Sequence, residues 1–230
     1  MENVGDTVSV ETARALREQL QELLLAGDKA GAVRAAVEAV TAERLDIPTL
    51  YRDVLTPLLV ETGADWQKGS VSVWQEHLAS ATVRTIVEIL YPGVLKMRAA
   101  SEPAGRKVLL ACPPQEAHDL GLRMVSDRFD MAGWTTYFLG ADTPADQVVD
   151  AARSLGVDAV VISSSTHFHR IAVRSFLDEL RSKLPGVQVW VGGAAFAHDR
   201  DWPADELIDL DEVLTPAAGE TGSPSGAGGA

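Results

Sequence analysis

The sequence predicts an α + α/β chain, a helical bundle followed by a parallel-sheet domain, on three observations. From about residue 9 to residue 98, apolar residues recur at helical spacing without interruption by strand-like runs. After residue 105, short apolar runs alternate with amphipathic helical stretches, the pattern of a parallel sheet covered on both faces. Between them "RAASEPAGRK" (98–107), with Pro103 and Gly105, fits neither pattern and reads as a linker. At 230 residues, 46% of them hydrophobic, the chain is long enough for two cores.

The helical half divides into four helices. "SVETARALREQLQELLLAGD" carries leucines at 16, 20, 23 and 24, with Gly27 as a stop. "DKAGAVRAAVEAVTAERLD" places valines at 33, 37 and 40. "IPTLYRDVLTPLLVETGADWQKG" opens on Pro48 and aligns Leu50, Val54, Leu55, Leu58 and Leu59, with Pro57 predicting a kink. The fourth helix, "SVSVWQEHLASATVRTIVEILYPGVLKM", takes Ser70 or Ser72 as N-cap. Short connections predict an antiparallel four-helix bundle over 9–98.

In the second half "RKVLLAC" is a strand and "AHDLGLRMVSDRFDMAG" a helix ending at Gly133. "WTTYFLG", "VDAVVISSS" and "VQVWVGG" are further strands, separated by the helices "TPADQVVDAARSLG" and "HRIAVRSFLDELRSKLPG". "DELIDLDEVLT" predicts a short helix and a last strand, which would make five. The α/β domain is placed at 105–214. The Gly/Ala/Ser/Pro-rich stretch 215–230 reads as a flexible tail or linker.

The net charge of −13 argues against direct nucleic-acid binding and against an anionic membrane surface. No continuous apolar run approaches 18 residues, so no membrane span is expected. One cysteine, Cys112, allows no internal disulfide and suits a reducing compartment. The first residues lack a signal peptide's basic and apolar regions. A soluble cytoplasmic protein is expected.

Ligands on parallel sheets bind beyond the carboxyl ends of the strands. His118, Gly140, Ser163 to Ser165 and Gly192-Gly193 all follow predicted strands and converge on that edge. A loop histidine can offer a nitrogen to a metal, and a nearby carboxylate, here Glu116, can accept its other N–H. Gly121 would let a bulky planar ligand approach the next helix. The serines supply hydroxyls beside the sheet, and Gly192-Gly193 removes side chains where a long group could pass. There is no G-x-x-x-x-G-K, and no G-x-G-x-x-G follows the first strand. Taken singly, each of these residues also reads as strand-end punctuation; the ordered combination is what points to a large ligand with a metal at one end.

That combination, E-x-H-x-x-G after the first strand, "SSST" after the third and G-G after the fourth, resembles the cobalamin-binding domain of methionine synthase and its relatives. The resemblance implies a flavodoxin-like (Rossmann-like) fold, with His118 as lower cobalt ligand, a nucleotide tail running past Ser163 and Ser165, and room made by Gly192 and Gly193. It also brings Glu116, Asp119 and Gly121 to the cofactor. The family commonly has aspartate in place of Glu116 and S-x-L in place of "SSS".

The helical half narrows the resemblance. Trp66 followed by Glu76 and His77, and "LGADTP" at 139–144, is similar to the light-sensing, adenosylcobalamin-dependent regulators of the CarH type. By that resemblance the bundle caps the upper face of the cofactor, where Trp66, Val73, Glu76 and His77 lie. In those regulators a histidine follows the tryptophan and takes the upper cobalt position after illumination; here the residue is Gln67, so His77 becomes the first candidate for that position. They also begin with a helix-turn-helix domain, whereas this sequence opens on the bundle pattern, so direct promoter binding is not expected. The reading is a light-sensing module and not an enzyme, carrying adenosylcobalamin and cobalt and acting in transcription regulation through a homo-oligomer or a partner or effector domain. The alternative is a corrinoid carrier of a methyltransferase system, with methylcobalamin.

Overall fold

A computed structural model describes residues 4–165, 170–196 and 207–215. The expected tail lies outside the described residues from 216 onward.

The helical half holds α1 (Val4–Leu25), α2 (Lys29–Thr41), a third rod and α5 (Val73–Ala100). The third rod is built from α3 (Ile47–Thr49), a π-helical stretch (Leu50–Leu55) and α4 (Thr56–Gln67). Local chemistry sets the ends. Gly27 takes φ +75, and Asp28 accepts the Gly31 N–H at 2.8 Å to cap α2. Ser72, one of the two expected caps, starts α5 in a capping box with Gln75. Just before Pro57 the rod takes the π-helical stretch, and the Thr56 N–H reaches back five residues to the Tyr51 carbonyl. Proline has no N–H to give, so a wider turn just before it leaves fewer orphaned carbonyls. Leu20, Leu50, Val54, Leu55, Val83 and Ile86 are fully buried and form the bundle core. Helix α5 has the length and apolar content to cross a membrane. Its Ala79, Val83, Ile86, Val87, Leu90 and Val94 instead fill this core.

The second half has β1 (Lys107–Ala111), α6 (Leu120–Met131), β2 (Thr135–Gly140), α7 (Ala145–Leu155), β3 (Ala159–Ser163), α8 (Arg170–Lys183) and β4 (Gln188–Gly192). All pairings are parallel, in the order β2-β1-β3-β4. The two central strands, β1 and β3, are almost wholly buried, as their continuous apolar sequence requires.

The fifth strand is a correction. Among the described residues the sheet has four strands, and the place beyond β4 is taken by a single parallel bridge, Val191 to Leu207. The expected order of a short helix and then a strand is also reversed. Asp209 accepts the N–H groups of Asp211 and Glu212, so the chain turns into α9 (Leu210–Leu214) before a strand can extend.

The halves meet along α5 and α6, and the seam is polar. Arg84, Tyr91 and Arg98 recur every seven residues on one stripe of α5. Arg84 pairs with Asp119 at 2.5 Å, the Arg123 guanidinium lies 4.8 Å from the Tyr91 ring, and Arg98 pairs with Asp130 at 3.0 Å. From the π-helical stretch, the buried Tyr51 hydroxyl donates to Asp127 at 3.0 Å. Asp127 also pairs with Arg123 at 3.0 Å. Leu120, Met124 and Met131 give the seam its apolar contact with the bundle core. The linker is pinned alongside: Ser101 Oγ donates to the Met131 carbonyl at 2.7 Å, and Ala104 N–H to the Gly133 carbonyl at 3.0 Å.

Candidate functional site

In the strand order seen here, β1 and β3 are the neighbours from which the chain departs in opposite directions, and the crevice beyond their carboxyl ends is the expected ligand position. The loop after β1 carries Glu116 and His118; the loop after β3 carries Ser164 and Ser165.

Glu116 joins them. Its side chain is only 3% exposed. Oε1 lies 2.6 Å from His118 Nδ1 and accepts the His118 backbone N–H at 3.0 Å. Oε2 accepts the Ser165 backbone N–H at 2.6 Å and the Ser164 hydroxyl at 3.2 Å. Burial pushes the Glu116 carboxyl up, but the His118 ring, the two backbone N–H groups and the histidine's charge outweigh it and hold the pKa at about 2. The same bond to Glu116 raises His118 against the opposing effect of burial, with the charges of Glu116 and, further away, Glu76 adding to it. A carboxylate on Nδ1 fixes the proton there. Nε2 has no partner among the described residues, and the side chain is 63% exposed.

A second loop braces the first. Asp142 Oδ1 accepts the Gln115 N–H at 2.8 Å, and Asp142 N–H donates to the Glu116 carbonyl at 3.0 Å. Thr143 N–H donates to the Cys112 carbonyl at 3.0 Å. Gln115 and Asp142 both take positive φ, +67 and +51, so these bonds hold an unfavourable backbone in place. The "LGADTP" stretch is thus the support of the histidine loop. Cys112 itself is buried; burial first, and then the charges of Glu116 and Asp119, push its thiol up to about 12, so it is no thiolate ligand.

The glycines divide. Gly193 takes φ +101, and a Cβ there would stand 2.4 Å from the Ser164 carbonyl oxygen and 3.0 Å from Ser163 Oγ. Only glycine lets the chain pass this close to the serines. A Cβ on Gly192 would meet Ile208 at 3.2 Å, and one on Gly121 would meet nothing within 4 Å, at the open start of α6.

The bundle contributes a separate cluster. Glu76 sits in the first turn of α5 and holds His77 Nδ1 at 2.6 Å through Oε2, while Oε1 accepts the Ser80 hydroxyl at 2.7 Å. His77 is 73% exposed. Trp66, at the end of α4, and Val73, at the start of α5, are exposed apolar side chains on either side of the α4–α5 turn, as is Trp74.

The structure therefore brings Glu116, His118 and Ser165 into one network and Ser163 against Gly193. It keeps Glu76 and His77 as a second pair, acting on His118 only through Glu76's charge. Asp119, next to His118, pairs with Arg84. Ser164 lay within the serine run and Asp142 within "LGADTP", whereas Arg84 and Gln115 were missed by sequence reasoning, and neither motif signalled them.

A histidine is thus held by a buried carboxylate at the switch point of a parallel sheet, with the helical half packed beside it. Comparison with known proteins gives the class. Two sequence families, each described as a B12 binding domain, match residues 16–91 and 106–218, and the chain belongs to this cobalamin-binding family. The "HTH-type transcriptional repressor CarH" of Myxococcus xanthus is 33% identical over 189 residues, 80% of this chain and 61% of that protein. CarA of the same organism is 32% identical over 66% of this chain and 48% of its own length. The chain thus spans about half to three fifths of these two relatives. "Trimethylamine corrinoid protein 1" of Methanosarcina acetivorans is 26% identical over 78% of this chain and 82% of that protein. The fold is shared with the monomethylamine corrinoid protein of Methanosarcina barkeri, with a TM-score of 0.72 at 18% identity, over 87% of this chain and 96% of that one.

The residues present fit cobalamin. An axial nitrogen donor needs an imidazole with one nitrogen held and the other without a protein partner, and Glu116 holds His118 Nδ1 in that way. A planar ring needs an approach free of side chains, which Gly121 leaves at the α6 start. Gly192 and Gly193 bring bare backbone beside Ser163 and Ser164 at the end of β4.

Proposed function

We propose that this protein is a cobalamin-binding, light-sensing module, reading light through adenosylcobalamin held by His118. The observation that carries the reading is the Glu116–His118 pair, with Nδ1 tied down and Nε2 free, in a chain whose cap helix bears Glu76 and His77. When bound, the cofactor would supply a light-labile cobalt–carbon bond. Glu116 keeps the His118 proton on Nδ1 and so keeps Nε2 a donor toward cobalt. Ser163, Ser165, Gly192 and Gly193 line the space for the tail, and Gly121 leaves room for the ring. Trp66, Val73, Glu76 and His77 would face the upper side of the bound cofactor. His77 repeats the lower geometry, Nδ1 held by a glutamate at 2.6 Å and the ring largely exposed, and is the side chain proposed to replace the lost upper ligand. The output is a conformational or oligomeric change passed to a second copy or to a partner; the acidic surface gives no footing for direct contact with DNA.

A second reading, a corrinoid carrier for a methyltransferase, is favoured by the 82% coverage of the trimethylamine corrinoid protein. One experiment separates them. The protein is purified in the dark with adenosylcobalamin, illuminated with green light, and followed by visible spectroscopy. Bound cofactor with a lasting light-induced change supports the sensor. Binding without such a change, and preferential retention of methylcobalamin, supports the carrier. Absence of bound colour removes both. His118→Ala should weaken binding or give a base-on spectrum.

A further inference from the structure

Asp119 and Arg84 join two parts of the molecule that the proposed cofactor would separate. Asp119 directly follows His118 on the loop after β1, and its side chain is largely covered. Arg84 stands on α5 seven residues after His77 and eight after Glu76, about two helical turns, on the same face. Their contact, 2.5 Å, is the rung of the polar seam nearest to Glu76 and His77. The next rungs, Tyr91 with Arg123 and Arg98 with Asp130, follow the same stripe away from the site. A Cβ on Gly140 would come within 3.2 Å of Asp119 Oδ2, so the carboxylate is also confined from the β2 side.

We propose that Arg84 and Asp119 form a positioning pair that sets how the cap face of α5 sits over the His118 loop, and so makes the protein selective for a bulky upper ligand. The proposal rests on the cobalamin reading of the site. It changes the role of Asp119 from a cofactor contact to half of an ion pair. A cobalamin with a small upper ligand is held mainly from below, by His118 and the tail pocket. One with a bulky upper ligand also touches the α5 face, and loses that contact when the face is no longer held in register. Exposed ion pairs are weak by themselves. This one is effective because it ties the first half of a rigid 28-residue helix to the residue that follows His118.

The test is dark spectroscopic titration with adenosylcobalamin and with hydroxocobalamin. It is applied to wild type, Arg84→Gln, Asp119→Asn, the charge-swapped double variant, and Arg98→Gln. Arg98 makes the same kind of rung 14 residues, or about 21 Å, further along α5. Arg84→Gln and Asp119→Asn should each lower the preference for adenosylcobalamin about fivefold or more. The charge swap should restore part of it, and Arg98→Gln should leave it unchanged. A preference unchanged in Arg84→Gln, or lowered equally in Arg98→Gln, overturns the proposal. Failure of wild type to bind either cobalamin is a different result and overturns the cofactor reading itself.

Discussion

Glu116 Oε2 accepts the backbone N–H of Ser165 across 49 residues of sequence, at 2.6 Å, while Oε1 of the same carboxylate holds His118 Nδ1 at the same distance. One buried side chain therefore ties the loops after the two central strands together and orients the one imidazole between them.

Removing that charge should weaken the cofactor more than the fold. Glu116→Gln keeps the size of the side chain but not the anion. It is expected to lower cobalamin affinity about 10- to 100-fold, the usual effect of losing a partner behind a ligating histidine. Equilibrium titration in the dark measures it; affinity equal to wild type would separate Glu116 from ligand positioning.

The same substitution exposes a pH signature in the cofactor-free protein. The folded Glu116 pKa is depressed from 4.5 to about 2, so its stabilisation is present above pH 4.5 and lost as the pH falls toward 2. His118 is raised from 6.5, so its share is full below 6.5 and lost as the pH rises through the higher folded value. The stability difference between wild type and Glu116→Gln should be largest between these limits, pH 4.5 to 6.5, and shrink on either side. Urea unfolding of both proteins across pH 3 to 9 checks it.

The two adjacent glycines should respond unequally. Gly193→Ala puts a Cβ 2.4 Å from a backbone oxygen at φ +101 and is expected to cost about 1–3 kcal/mol. Gly192→Ala meets only the end of Ile208 at 3.2 Å and should cost less. Thermal unfolding of the two variants gives the order, and equal losses would contradict the close approach of the chain to Ser164.

At the seam, Tyr51→Phe removes the hydroxyl that donates to the buried Asp127. Asp127 Oδ1 already lacks a well-formed hydrogen bond, although Arg123 pairs with it. Loss of the second oxygen's donor should destabilise the protein by about 1–3 kcal/mol. Chemical denaturation measures it, and a neutral result would mean that water replaces the tyrosine.

Illuminated His77→Ala should differ in its visible spectrum from illuminated wild type if His77 takes the upper position. Identical spectra would exclude it.

The sequence by itself determined the kinds of element and their order. Helical spacing up to residue 98, a Pro/Gly break, and β-α alternation afterwards each follow from local periodicity and turn chemistry, and four strands, the Ser72 cap and the Gly27 stop sit where those rules put them. The E-x-H-x-x-G loop was legible too, because a strand end followed by proline and glycine can only be a loop. The last elements were less so. "DELIDLDEVLT" carries enough apolar residues for a strand, but an aspartate cap two residues past Leu207 favours a helix, and local competition of that kind is not decided by pattern. Tertiary structure alone decided the rest. Which oxygen of Glu116 meets which loop, that Asp119 pairs with Arg84, and that Tyr51 is aimed at Asp127 by a π-helical turn are contacts between residues 35 to 76 apart in sequence. Their geometry depends on sheet order and helix register together, and neither is encoded in any one stretch of the chain.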